Sequence, residues 1–149
     1  MNVGVSRFGL AALACVAIGS VAVMVSADDS ASYKGLELTA RGVERSTRVS
    51  LQDCPPGENI VKGVIRPVED NEFATIQIDV KASAFEGGEV PKPLLIDDAG
   101  NAYKTAQSFR DVGSQEAYTC SFSFRVPKGT KLARVSVEDA SLDVSSLEK

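Results

Sequence analysis

Histidine and tryptophan are both absent from this 149-residue chain. Without histidine, Ser-His-Asp and Cys-His catalysis cannot run in their usual forms, and His-containing zinc and haem sites are excluded. Without tryptophan, the chain lacks the core indole of antibody domains. Aromatic residues of any kind amount to only 6% of the sequence. Clusters of one charge are also missing: the 16 basic and 20 acidic residues are intermixed, for a net charge of −4. Phosphate binding draws its affinity from clustered Lys and Arg, so no nucleic-acid partner is expected.

Long apolar runs are scarce as well. The one that exists, Phe8 to Val25, follows Arg7 and leads to Val25-Ser26-Ala27 before acidic Asp28-Asp29. A basic residue, an uncharged stretch and small residues three and one before a cut are the marks of a secretory signal, which assigns residues 1–27 to a leader and 28–149 to the mature domain. The alternative is an uncleaved anchor through residues 8–25, since that run is just long enough to span a bilayer. A lipoprotein reading centred on Cys15 fits less well, because Ala12 stands where leucine is usual and the apolar run continues well past the cysteine. The expected location is secreted or periplasmic, and a membrane is involved only if the leader is retained.

Of three cysteines, two remain in the mature chain, Cys54 and Cys120. An oxidising compartment and an even pair imply one disulfide. The competing reading, a nucleophilic thiol, lacks a histidine base to generate thiolate. In the chain-entropy treatment, closing so long a loop stabilises the fold by about 4 kcal/mol.

The mature sequence alternates with period two. Asp28 to Ser32 reads as a flexible lead-in, and Leu36, Leu38 and Ala40 as the buried face of a first strand. Asp53-Cys54-Pro55-Pro56-Gly57 is a loop, because paired prolines remove backbone donors. Ile60 to Arg66 is β-branched and closed by Pro67. Phe73 to Ala82 is the clearest strand, with Ala74, Ile76, Ile78 and Val80 on one face. Leu94-Leu95-Ile96 and Ala102-Tyr103-Lys104-Thr105 flank hairpin residues Asp97 to Asn101. Gln107 to Glu116 reads as a polar loop with little regular structure. Tyr118, Cys120, Phe122, Phe124 and Val126 form an inward set, followed by Ala133, Val135 and Val137, then Ala140, Leu142 and Val144. No amphipathic helix or repeat is visible. About seven strands with one disulfide make an all-β, antiparallel immunoglobulin-like β-sandwich the expected fold, with a barrel second and the immunoglobulin likeness architectural only.

The strand Glu72 to Val80, the segment Leu95-Ile96-Asp97-Asp98-Ala99-Gly100-Asn101-Ala102-Tyr103 and the run Phe122-Ser123-Phe124-Arg125-Val126-Pro127-Lys128 resemble a bacterial family. It comprises extracellular immunoglobulin-like domains of unknown function, sometimes labelled telomeric repeat-binding factor 2-like. The resemblance implies a secreted or membrane-anchored sandwich and carries over no catalytic residues.

Candidate sites are few. Asp97, Asp98 and Asn101 offer oxygen ligands to Ca²⁺, although a calcium site needs six or more oxygens, and the stronger reading is a turn whose Asp and Asn bond their own backbone. Glu69-Asp70-Asn71-Glu72 and Glu86-Gly87-Gly88-Glu89 supply carboxylates for a glycosidase-like pair, against solvated loop charge as the plainer account. Tyr33, Tyr103, Phe85 and Phe109 could form an exposed aromatic surface, but so few aromatics are needed in the core. No cofactor is expected. The favoured role is a non-enzymatic binding module for a protein or cell-envelope component, and the alternatives are a carboxylate-dependent extracellular hydrolase or a structural envelope protein. N-terminal sequencing of the exported protein is expected to begin at Asp28; a sequence retaining residues 8–25 would establish the anchor instead.

Overall fold

The computed structural model describes residues 29–57, 61–66 and 69–148; the proposed leader and its cleavage site lie outside them. In chain order the strands are β1 (Ser30–Tyr33), β2 (Leu36–Ser46), β3 (Val49–Gln52), β4 (Val61–Ile65), β5 (Asn71–Lys81), β6 (Leu94–Asp97), β7 (Ala102–Lys104), β8 (Ala117–Pro127), β9 (Leu132–Val137) and β10 (Ala140–Asp143). A 3₁₀ turn, Val112–Ser114, precedes β8. Two antiparallel sheets, β1-β2-β5-β8 and β10-β9-β6-β7, face one another as a β-sandwich, and β3 and β4 form a separate two-stranded ribbon.

β5 and β8 pair without a break from Asn71↔Pro127 to Lys81↔Ala117. This ladder follows from strict alternation: Ala74, Ile76, Ile78 and Val80 meet Phe124, Phe122, Cys120 and Tyr118 across the strands, and cross-strand pairs of aromatic and β-branched residues are the unit of sheet stability. Leu95, Val135, Val137 and Leu142 close the core from the other sheet. In β2 the register slips between Ala40 and Gly42. Arg41 is the extra residue of a bulge, and the inward set passes from Leu36, Leu38 and Ala40 to Val43, as a one-residue insertion requires.

Among the described residues ten strands replace the seven or so read from the sequence. One of the additions corrects the lead-in: Ser30–Tyr33 is paired with Leu36–Thr39. The two-residue turn Lys34-Gly35 has φ of 47° and 81°, the positive values a tight hairpin needs, and lysine is a poor advertisement for such a position. Gly35 is required there for a second reason, because a Cβ on it would fall 1.9 Å from the Ala84 carbonyl oxygen.

The barrel alternative survives as a tendency. β1 lies beside β10, where the Tyr33 hydroxyl donates to Glu138 Oε2 at 2.7 Å, and on the opposite side Thr105 bridges Phe124. The ribbon adds a partial third layer. Phe73 points away from the main core but is only 2% exposed, because Val49, Leu51 and Ile65 of the ribbon cover it.

Cys54 and Cys120 are bonded, with Cα atoms 5.5 Å apart, inside the usual span for a disulfide. Beside the bond, the Gln107–Glu116 segment is irregular in backbone as read from the sequence, but it is not a surface loop. Gln107, Phe109 and Val112 are buried. The Gln107 carboxamide substitutes for a neighbouring strand: its Oε1 accepts from the Ser123 amide at 2.7 Å, and its Nε2 donates to the carbonyls of Ser121 at 2.5 Å and Gln52 at 2.6 Å. A buried peptide group left without a partner costs about 1–3 kcal/mol. Gln107→Leu is therefore expected to destabilise the protein by about 3 kcal/mol in urea unfolding; a loss below about 1 kcal/mol would show that solvent can take over these groups.

Candidate binding cleft at the disulfide end

Three loops meet where β5 ends and β8 begins. The first holds Asp53 and Cys54 and is fixed to the third, residues 105–116, by a short parallel ladder: the Cys54 amide donates to Ser108 O at 2.9 Å, and the Arg110 amide donates to Cys54 O at 2.7 Å. Asp53 is buried. It accepts from the Ser108 amide at 2.8 Å and pairs with Arg110 Nε at 2.9 Å, the kind of partnering that a buried carboxylate requires. Phe109 then enters the core with its ring centroid 5.0 Å from that of Phe122. The second loop, residues 82–93, is anchored by Ala82 N to Glu116 O at 2.8 Å and by Glu86 N to Lys34 O at 3.3 Å.

Between the second and third loops lies a cleft of ≈ 710 Å³. Val90, Phe109 and Val112 form its largely buried floor and half-buried Phe85 a wall. Its rim carries Glu86, Glu89 and Asp111 and, among the described residues, no lysine or arginine. Gly87 and Gly88 have φ of 89° and 105°, which only glycine adopts readily. Beneath the cleft, the Tyr118 hydroxyl donates to Val112 O at 2.9 Å, and burial pushes its pKa up to about 12.

The other sequence candidates resolve as follows. Asp97 and Asn101 do meet, but as partners of each other. Asp97 Oδ1 accepts from the Asn101 amide at 2.7 Å, and Oδ2 from Asn101 Nδ2 and from the Tyr103 hydroxyl, both at 2.9 Å. The Asn101 side chain, with help from its amide and Tyr103, holds the Asp97 carboxyl below the ordinary aspartate value. Burial, followed by Asp97 itself, pushes Tyr103 up. Asp98 is exposed in the same turn. Among the described residues no group of three or more Cys, Asp or Glu side chains is placed to hold a metal ion. Tyr103 was the partner that turn-level reasoning overlooked; its place two residues after Asn101 is the available signal.

The two acidic loops stand at opposite ends of β5. At about 3.3 Å per residue the strand separates Glu72 from the Glu86 loop by about 30 Å, whereas a glycosidase pair lies about 5–9.5 Å apart. Glu72 is also engaged: Arg45 Nη1 donates to it at 2.9 Å and the Gly129 amide at 3.2 Å. Arg45 further donates to Glu148 and to the Thr130 carbonyl. Of the four aromatics, Tyr33 and Phe109 are buried and Tyr103 and Phe85 pack against the core; Phe85 and Phe109 reach the cleft, as wall and floor. A second concavity, ≈ 380 Å³ on the outer face of the β1-β2-β5-β8 sheet, is internally neutralised. There Asp79 accepts from Thr119 at 2.7 Å and Arg41 at 2.6 Å, and the Thr119 hydroxyl first, then Arg41, lowers its pKa.

No protein-family model matches the chain, and no curated protein matches it. Among solved structures, an uncharacterized β-sandwich protein from Clostridium difficile 630 aligns with 12% identity over 73% of this chain and 82% of that one, with a TM-score of 0.42. The class defined by the strand topology is an antiparallel β-sandwich with one disulfide.

A tyrosine whose folded pKa lies above its unfolded value stabilises the fold fully below that unfolded value and loses this contribution as pH rises. Tyr118 is therefore expected to ionise last among the tyrosines in an ultraviolet titration, near pH 12, and to make stability fall from about pH 10 upward. Tyr118→Phe should flatten that decline in urea unfolding; an unchanged alkaline slope would assign it elsewhere.

Proposed function

We propose that the mature domain is an exported, non-enzymatic module that recognises a protein or cell-envelope component through the loops at its disulfide end. The observation that carries this reading is the ≈ 710 Å³ cleft between the second and third loops. Binding sites collect on loops held by a rigid scaffold, and here the base under the loops is fixed by the disulfide, the Asp53 bonds and the buried Gln107. The apolar floor and acidic rim favour a basic segment with some apolar character over an anionic polymer. Family kinship with the bacterial extracellular immunoglobulin-like domains belongs to the same proposal and rests on the strand signatures.

A non-catalytic role is supported by the placement of the two acidic loops at opposite ends of β5, too far apart for a glycosidase pair. Export is supported by the leader-like residues 1–27 and by a disulfide, which persists in oxidising compartments. No helix among the described residues is long and apolar enough to cross a membrane.

A photo-crosslinking residue installed at Glu89 is expected to capture a discrete partner from the envelope or exported fraction. The same residue at Ser141 on the far sheet should capture none, and Glu86→Lys combined with Asp111→Lys should abolish the Glu89 product. Equal capture from both positions, or turnover of a glycoside or ester panel by the purified domain, would overturn the reading.

A further inference from the structure

The β3–β4 ribbon covers only part of the sheet beneath it. Between the ribbon and the neighbouring β7–β8 junction it leaves a crevice of ≈ 210 Å³, remote in chemistry from the acidic cleft. Its inner surface is apolar: Leu51, Ile65 and Phe73, which form the small core under the ribbon, line it. The one hydroxyl in the lining, that of buried Ser123, is already bonded to Thr75 at 2.9 Å.

At the mouth stand two cations, Lys104 and Arg125, and among the described residues the lining contains no carboxylate. The Arg125 guanidinium lies 5.9 Å from the centroid of the Phe73 ring, where the face of the ring attracts it. Among the described residues neither cation forms a salt bridge. A third positive group is close, since Lys92 Nζ donates to the carbonyl of Ala106, a residue of the same wall, at 3.4 Å. Arg41, Arg45 and Arg110 hold carboxylates, whereas Arg125 and Lys104 set two cations without a salt bridge over an apolar hollow, a complementary site for an anion with an apolar body.

We propose that this crevice binds a small monocarboxylic acid. The carboxylate would be held by Arg125 and Lys104, and the hydrocarbon part would lie against Phe73, Leu51 and Ile65. The size is set by the volume: a cavity of about 150 Å³ takes a benzene ring, so ≈ 210 Å³ accommodates one ring or a chain of about six carbons together with its carboxylate. Arg125 serves twice in this arrangement, as the ion-pair donor and as the cap over Phe73.

The test is an NMR titration of the mature protein with hexanoate, with hexanol to supply the body without the charge and acetate to supply the charge without the body. Hexanoate is expected to shift the amide signals of Leu51, Phe73, Ser123 and Arg125 saturably, with hexanol and acetate weaker by about tenfold or more. Arg125→Gln should weaken hexanoate by about tenfold while leaving the melting temperature near its original value, because Arg125 is exposed. Lys104→Gln gives a second, independent loss. Equal response to all three compounds, shifts confined to the loop cleft, an unchanged affinity in both variants, or no saturable shift would each overturn the proposal. Since the loop cleft is untouched by either substitution, failure here is separable from failure of the Glu89 crosslink.

Discussion

An edge strand covered at its middle has peptide groups there with nowhere to turn, and β8 is in that position around Ser123. Its inner face carries Phe122, Phe124 and Val126, and on its outer face Ser123 is also buried. Unpaired amides and carbonyls in such a place are costly, and the last strand of the β1-β2-β5-β8 sheet cannot recruit another regular strand because β7 ends at Lys104. The gap is filled by one side chain, the carboxamide of Gln107, which offers an acceptor and two donors in the geometry of a peptide. Everything at that end of the molecule is arranged around holding it there: Thr105 bridges Phe124 just before it, Phe109 enters the core just after it, and the Cys54–Cys120 bond fastens the adjoining loop to the same strand.

That arrangement explains why irregular chain can be well fixed. The loops over the cleft have little secondary structure of their own, yet their bases are tied by backbone bonds to Cys54, to Glu116 and to Lys34, so their shape is set by a rigid foundation and their composition is free to serve recognition. The opposite end of the sandwich is closed differently. There Arg45 gathers Glu72, Glu148 and the Thr130 carbonyl, so charge and not a covalent link holds the ends of the strands together.

Much of the fold was readable wherever alternation was unbroken. β5 and β8 announced themselves because every second residue is apolar and each strand is a full eleven residues long. The hairpin at Asp97 to Asn101 was readable for the same reason that it forms, since glycine and asparagine accept its backbone. β1 was hidden by its length and by a lysine at a positive φ. Alternation sets Phe73 on the face opposite Ala74 and Ile76, away from the main core, and it is the ribbon that makes it a core residue. The roles of Gln107 and Asp53 were invisible in principle: a buried polar side chain looks like any loop residue until the backbone it satisfies is known. The cleft was legible as a set of loops and the ribbon crevice not at all, because its walls come from five separate stretches of chain.

The bulge in β2 has a consequence beyond register. Arg41 and Arg45 are four residues apart, and in an uninterrupted strand residues of equal parity project from the same face. With the slip between Ala40 and Gly42 they part company: Arg41 joins Asp79 on the solvent side, whereas Arg45, opposite inward-facing Ala74, turns between the sheets to reach Glu72 and Glu148. A single surplus residue thus acts as a sorting device, sending two identical side chains to different neighbourhoods, one to neutralise a surface and one to seal an interior.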